Sequence, residues 1–535
     1  MNTVRDAAFG VLRQYGLTTL FGNPGSTEVP LLAGLPDDLR FVLALHEGSV
    51  VAMATGWAIG HERPGVAVLH TSAGLGNAVG AIATARVNRV PLVILVGQQD
   101  RRHLSLEPFL AGRLDGLAGD YPVRVEQPVR AQDVPGAVAR AYHEAVTRRG
   151  PALVVVPMGD WSEPWAGEVV AAPARVVRPA AVADADLRPL VSLLAAARSP
   201  AIVAGAGVEA GWEPLVALAE RLRCPVFQEA FGARAGFPQD HPQYAGVLPA
   251  DRGSLREALA GHDVVLSVGA PVFRLYPYVP GPLVEPGTTV ALVTDDPAEA
   301  HRSPADLAYL AAPSAVCARL AALLPGRSAD GSPPPGQRPE RREPAARPPV
   351  APGRGLPAEH VLRELAARLP ADAVLLEEAP SARPDLHRLV PARNPLGFLS
   401  AAMGGLGFAV PAAVGLRMAL PRRPVIAVVG DGSTLYGLHA LWSAAHYRVG
   451  ALFVVLANGR YAIMDRLAGQ QGGKAPWPPF TEVDMSMLAR ALGCPARRVT
   501  GHDALTAALD EVLPTLATRD EPLLLDVAVD PDPQR

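Results

Sequence analysis

The chain has only three cysteines, Cys224, Cys317 and Cys494, in 535 residues. Their spacing matches no metal-ligand set and no disulfide framework, so they read as reduced core thiols. Excess charge of one sign is missing too. The net charge is −3 and no long Lys/Arg run occurs, so nothing advertises a nucleic-acid binder. No apolar run is long and clean enough to span a bilayer. The opening stretch MNTVRDAAFGVLRQYG patterns as an amphipathic helix without a signal-type apolar region, so the expected location is cytoplasmic. What the chain does have is core material, 49% hydrophobic residues against 19% charged. Its length suits roughly two to four domains.

Three blocks alternate strand-like and helix-like patterns. The first carries the short apolar runs TTLFGNPG, FVLALHEG, GVAVLHTSAG and PLVILVGQQ, each ending in a Gly-rich or polar turn. The second carries SPAIVAGAG, DVVLSVGAP and TVALVTDDP, and the third AVLLEEAPS, RPVIAVVGDG, GALFVVLANG and EPLLLDVAV. Helical stretches between such runs predict βα units with a buried parallel sheet. Residues 325–355 are rich in Pro, Arg and Gly and nearly free of large apolar side chains, the composition of an exposed linker. The expectation is three α/β domains of roughly 150–190 residues.

The third block holds the most informative local pattern. VIAVVG runs into Gly430-Asp431-Gly432, a helical stripe of Leu435, Leu438, Leu441, Trp442 and Ala445 follows, and ALFVVLA then ends at Asn458. In a right-handed βαβ unit both strand ends open on one edge of the sheet, so Asp431 and Asn458 become neighbours. Two hard oxygen ligands there suit Mg²⁺, which keeps phosphate oxygens and water in its shell. The flanking glycines let backbone N–H groups approach a phosphate, and a helix starting near Ser433 would add its positive end. Gly-Asp-Gly is also ordinary turn chemistry; the strand–helix–strand context and the Asn favour a metal–diphosphate cradle.

This pattern resembles the thiamin diphosphate signature of the 2-oxo acid decarboxylase superfamily. FGNPGSTEVP, ALHEGSVVAMATGWA, LHTSAGLGNAVGAIATA, PLVILVGQQ, GAPVFR and GGLGFAVPAAVG also resemble, in order, segments of benzoylformate decarboxylases. The resemblance implies three doubly wound α/β domains: pyrimidine-binding (1–170), central (180–324) and, after the linker, diphosphate-binding (356–530). It implies thiamin diphosphate and Mg²⁺ as cofactors and active sites between subunits of a homotetramer. Decarboxylating a 2-oxo acid leaves a carbanion that no side chain can delocalise, and the cofactor serves as electron sink.

The resemblance also assigns residues. Glu47 matches the carboxylate that activates the cofactor at its pyrimidine ring; the plainer reading is a helix N-terminal carboxylate. Leu406 matches the apolar prop under the thiazolium and Gly404 the carbonyl that receives the pyrimidine amine. Ser26 and His70 match substrate-side residues, His70 as acid and base, although a turn serine or strand-end histidine is otherwise structural. Gly430, Asp431, Gly432, Ser433, Asn458 and Ser381 would hold the diphosphate, and Asp431, Asn458 and Arg460 the metal. Phe109, Leu110, Ile463, Met464 and Leu467 would line the substrate pocket.

Three departures stand out. Tyr276 occupies the place of the family's second histidine, and a phenol with an ordinary pKa of about 10 is the poorer acid at neutral pH. That points toward 2-hydroxy ketone formation with an acceptor aldehyde. Ile463 and Leu467 replace a smaller residue and an aromatic one, and each crowded methylene costs about 1–3 kcal/mol. The substrate is therefore expected to be benzoylformate-like or a smaller aliphatic 2-oxo acid. Pro380 replaces a hydroxyl residue. Met464 stands where the pyruvate-decarboxylase branch has an acid, and Asp465, one position on, is expected to face solvent. A carboligase of the same family and a non-catalytic cofactor-binding homologue are the alternative readings. Gly205-x-Gly207-x-x-x-Gly211 imitates a dinucleotide loop without its spacing, and a central domain binding no nucleotide is expected.

Overall fold

The apolar runs become strands buried on both faces, as their lack of polar alternation requires of a parallel sheet. The computed structural model describes residues 2–165, 167, 181–208, 211–326 and 355–531. It contains three six-stranded sheets in which every strand pairing is parallel. The first has β1 (Thr19–Gly22), β2 (Arg40–Leu43), β3 (Gly65–Leu69), β4 (Leu92–Gln98), β5 (Arg124–Glu126) and β6 (Pro151–Pro157), in the order β2-β1-β3-β4-β6-β5. The second has β7 (Pro200–Ala204), β8 (Val226–Gln228), β9 (Tyr244–Val247), β10 (Val264–Val268), β11 (Thr289–Thr294) and β12 (Leu307–Leu310), in the order β12-β11-β10-β7-β8-β9. The third has β13 (Val374–Glu378), β14 (Leu399–Ser400), β15 (Val425–Gly430), β16 (Leu452–Ala457), β17 (Ala496–Val499) and β18 (Leu523–Ala528), in the order β14-β13-β15-β16-β18-β17.

Six of the seven strands beyond those expected from sequence are only two to four residues long; the seventh, β6, is a fully buried seven-residue run, PALVVVP. Most of the segment 325–355 lies outside the described residues. The opening helix forms as Val4–Gln14, with Thr3 and Asp6 closing a capping box. The single helix expected after Gly432 is instead two short ones, Asp431–Gly437 and Ala440–His446, with Leu438 and His439 at the break.

In the first and third sheets the chain steps back once near its end, to set β6 inside β5 and β18 inside β17; each of the three sheets also reverses its winding beside its first strand, between β1 and β3, between β7 and β10, and between β13 and β15. Loops leaving adjacent strands in opposite directions open a crevice there, the usual ligand position in such sheets. The first and third sheets are joined through one continuous core that includes Phe21, Met53, Leu75, Val410, Leu416 and Phe453. Its centre is a crossing of helices Glu47–His61 and Ala409–Ala419. A Cβ on Gly56 would lie 2.0 Å from the Ala412 carbonyl oxygen, and one on Gly415 1.9 Å from that of Met53. The two backbones touch, and only glycine permits it.

Candidate active site

The switch point of the first sheet gathers three segments. The loop after β1 carries Asn23, Ser26, Thr27 and Glu28. The helix after β2 begins at Glu47, and the one after β3 begins just past His70. Glu47 is 8% exposed, the first residue of a helix otherwise apolar and buried over most of its length. Both its oxygens are held, Oε1 by Asn23 Nδ2 and Oε2 by Asn77 Nδ2, each at 3.0 Å. A helix terminus would orient a carboxylate without either amide. The two amides fix its rotamer.

Among the described residues, His70 is held on one side only. Its Nδ1 lies 3.0 Å from Glu28 Oε2 and 2.9 Å from Thr27 Oγ1. Glu28 is 2% exposed; it also accepts the Gly25 N–H at 2.8 Å and the Thr27 hydroxyl. A carboxylate acceptor at Nδ1 places the ring hydrogen there and leaves Nε2 for a substrate. Thr27 and Glu28 were missed by sequence reasoning, although they follow Ser26 directly. The usable signal was an acid closing the polar strand-end turn NPGSTE. Ser26 lies exposed in this turn. Phe109 and Leu110 sit on a loop whose end is stapled to β4 by Gln98, which bonds Gly112 O at 2.7 Å and Gly112 N at 2.9 Å. Phe109 is 88% exposed.

The third sheet supplies a second group. β15 and β16 pair so that Gly430 faces Leu456, which brings the two following turns side by side. Asp431, 5% exposed, accepts the Gly432 N–H at 2.8 Å and the Gly459 N–H at 2.6 Å. Asn458 Oδ1 receives the Arg460 N–H at 3.1 Å. The expected juxtaposition of Asp431 and Asn458 is thus present. Burial raises the Asp431 carboxyl above its ordinary value, against the N–H groups of Gly459 and Gly432, and a desolvated carboxylate gains most from a nearby cation. At Gly432 a Cβ would stand 2.6 Å from the Tyr461 ring, so any side chain there would force that ring to move. Ser381 Oγ accepts the Ile463 N–H at 3.0 Å and so ties its turn to the helix Ala462–Gln470, which carries Ile463, Met464 and Leu467. Asp465 is not a free surface acid as expected. It accepts Trp477 Nε1–H at 2.9 Å and pairs with Arg460 Nε at 2.8 Å.

Glu378, also missed from sequence, anchors the Gly404–Leu406 turn. From the end of β13 it accepts the N–H groups of Gly407, Phe408 and Ala409 at 2.7, 2.8 and 2.7 Å. Burial pushes its carboxyl up to about 7 despite those bonds. Gly404 adopts φ +79°, a left-handed conformation natural to glycine. Arg274 reaches this turn at Ala402 O, 3.3 Å away. That contact brings the loop carrying Tyr276, 58% exposed, to the same edge. In the second sheet, the Gly-rich loop after β7 is filled from within: Glu229 Oε1 takes the Ala206 N–H at 2.9 Å, where a dinucleotide phosphate would otherwise seek it.

Among the described residues, no hydrogen bond or ion pair joins the Glu47–His70 group to the Asp431–Asn458 group of the same chain. No helix among them is long and apolar enough to cross a membrane.

Comparison with known proteins bears on this arrangement. Residues 2–118 match the thiamine pyrophosphate enzyme N-terminal TPP binding domain, 187–320 the central domain and 381–527 the C-terminal TPP binding domain. Benzoylformate decarboxylase of Pseudomonas aeruginosa is 39% identical over 98% of this chain and 99% of its own. Acetolactate synthase isozyme 2 large subunit of Escherichia coli is 27% identical over 97% and 94%. Among solved structures, the thiamine diphosphate-dependent 4-hydroxybenzoylformate decarboxylase of Rhodococcus jostii superposes with a TM-score of 0.92 at 35% identity, covering 100% of both chains.

Proposed function

Since the chain belongs to the thiamine pyrophosphate enzymes, in the 2-oxo acid decarboxylase family that includes benzoylformate decarboxylase, we propose that it releases CO2 from a benzoylformate-like or smaller aliphatic 2-oxo acid, with its cofactor anchored through Mg²⁺. As a member it is a thiamin diphosphate-dependent carboxy-lyase. The observation that carries the mechanistic reading is Glu47, a buried carboxylate with both oxygens fixed by amides.

Bound thiamin diphosphate supplies the electron sink that side chains lack. The residues of the third sheet fit it. Asp431 and Asn458, with the Arg460 main chain, offer hard oxygens for Mg²⁺, and Gly430, Gly432 and Ser433 form a turn without bulk at the start of a helix. Ser381 is assigned a supporting hydroxyl contact, Leu406 the apolar prop and Gly404 a carbonyl contact. In the first sheet, Glu47 holds a proton toward the pyrimidine ring. His70 uses Nε2 as acid and base while Glu28 keeps Nδ1 occupied, and Ser26 binds the substrate carboxylate. Phe109, Leu110, Ile463, Met464 and Leu467 wall the substrate, and Tyr276 is the remaining proton donor. Among the described residues no hydrogen bond or ion pair joins the two groups within one chain, and Phe109, Tyr276, Tyr436 and Met464 expose apolar surface. This supports completion of each site by a second copy, within a homotetramer.

Tyr276 favours a second reading, condensation with an acceptor aldehyde to a 2-hydroxy ketone. The test supplies thiamin diphosphate and Mg²⁺ and follows a panel from pyruvate to benzoylformate, with products resolved as aldehyde or hydroxy ketone. Glu47→Gln should cost on the order of 10²–10⁴-fold in kcat while still binding cofactor. Full turnover in that variant would sink the mechanism. Hydroxy ketone as main product would transfer the assignment to the ligase.

A further inference from the structure

Helix Ala358–Arg368 precedes the first strand of the third sheet, and helix His502–Val512 precedes its last. The two pack together, and their contact holds a polar cluster that the proposed chemistry does not use. His360 and Glu364 lie one turn apart on one face of the first helix. His502 is the first residue of the second. One ligand atom from each of the three side chains lies within 4.8 Å of the other two. The imidazoles already meet, His360 Nε2 to His502 Nδ1, at 2.9 Å. His360 is buried, and the other two are half-buried.

We infer that His360, Glu364 and His502 form a binding site for one divalent transition-metal ion of the zinc class. Two imidazole nitrogens and one carboxylate oxygen are a donor set for Zn²⁺, Ni²⁺ or Cu²⁺, and a poor one for Mg²⁺. Bonds of about 2.0–2.1 Å at a tetrahedral angle put two nitrogens about 3.3 Å apart. The nitrogens therefore need to part by about 0.4 Å, and each ring must turn its lone pair toward the ion. Their present contact requires one ring to donate and the other to accept. When an ion takes both lone pairs, the donor ring moves its hydrogen to its other nitrogen, and no proton need be released.

The surroundings support the carboxylate. Arg368 Nη1 donates to Glu364 Oε2 at 2.6 Å, and Arg368 Nε donates to Asp510 Oδ1 at 2.6 Å. Arg368 thus orients Glu364, as partners of metal-ligating carboxylates do, and keeps Asp510 as counter-charge if Glu364 turns to the ion. Three protein ligands leave a fourth position for water. The site joins helices whose contacting residues are 142 positions apart in sequence, so an occupying ion stabilises the folded chain. Its donors differ from the oxygen pair Asp431 and Asn458, so the two sites select different ions.

The test uses the full chain, stripped with a chelator and free of thiamin diphosphate, titrated with Co²⁺ by visible absorption and with Zn²⁺ by calorimetry. One equivalent is expected to bind at micromolar concentration or below, to give intense tetrahedral Co²⁺ bands, and to raise the melting temperature. Glu364→Gln and His502→Asn should each weaken binding by at least about tenfold and reduce those bands, and in both the metal should no longer raise the melting temperature above the variant's own metal-free value. His502→Asn keeps the assay independent of the buried His360. Binding only at millimolar metal, or an unchanged Co²⁺ spectrum in both variants, would overturn the site and leave an imidazole–imidazole hydrogen bond.

Discussion

Replacing Gly56 with alanine tests whether the helix crossing positions the candidate site. The new Cβ would sit 2.0 Å from Ala412 O, 2.8 Å from Ala412 C and 2.9 Å from its Cα. Ordinary C···O contacts are about 3.3 Å or longer, so the helices must part by about 1.3 Å. The obstacle is main chain, which cannot rotate aside as a side chain would, and the neighbouring contact of Gly415 with Met53 O blocks a sideways slide. Overpacking of this kind costs about 1–3 kcal/mol. At about 2–4 °C per kcal/mol for a unit of 150–250 residues, the upper end lowers the melting temperature by about 6–12 °C. Glu47 begins the displaced helix, and a shift of ~1 Å in a positioning group costs on the order of 10²-fold in rate. Gly10→Ala is the control. Nothing lies within 4 Å of its Cβ position, so it should gain about 0.5–1 kcal/mol from helix propensity. Calorimetry and kcat on the best panel substrate read both effects. A Gly56→Ala protein indistinguishable from wild type in both would refute the backbone contact and its role.

Three further outcomes are expected. Glu28→Gln should lower kcat by about 10–100-fold with cofactor affinity nearly unchanged, because Glu28 acts on the substrate only through His70, and should lower the melting temperature because its amide leaves a buried donor without an acceptor; an unaltered kcat would remove it from the mechanism. Asp431→Ala should abolish retention of thiamin diphosphate at millimolar Mg²⁺, read by cofactor fluorescence after gel filtration, and stoichiometric retention would disprove the assigned anchor. Burial raises the Glu229 carboxyl from 4.5 to about 7, against Arg274 and the Ala206 N–H. Its folded-state pKa is therefore the higher one, and the stability it contributes is fully present below 4.5 and lost as pH rises through about 7. The difference is on the order of 3 kcal/mol. Melting temperatures of wild type and Glu229→Gln across this window should show the wild-type advantage shrinking with rising pH; a constant difference would contradict it.

Sequence by itself determined the parts whose signal is local. Short continuous apolar runs rich in β-branched residues and bounded by turns, such as GVAVL and VIAVVG, read as strands covered on both faces. The turn Gly430-Asp431-Gly432 and the lone Asn458 announce a polar edge because a βαβ unit must return its strand ends to one side. Glu47 is legible for the same reason, as an acid opening an apolar helix. Tertiary structure decided the pairings between segments far apart in the chain. That Glu28 holds His70 depends on β1 lying beside β3 at a reversal of winding, and no period in either segment encodes that order. That Glu378 caps the helix Ala409–Ala419, that Asp465 is engaged by Trp477 and Arg460, and that His360 meets His502 are consequences of how helices are laid over the third sheet. Sheet order is set by the summed burial of whole faces, and a window of a few residues contains only its own contribution to that sum. The close crossing at Gly56 and Gly415 has the same origin, since a glycine inside a helix signals weakness locally and shows its purpose only when a second backbone occupies the space its side chain would have filled.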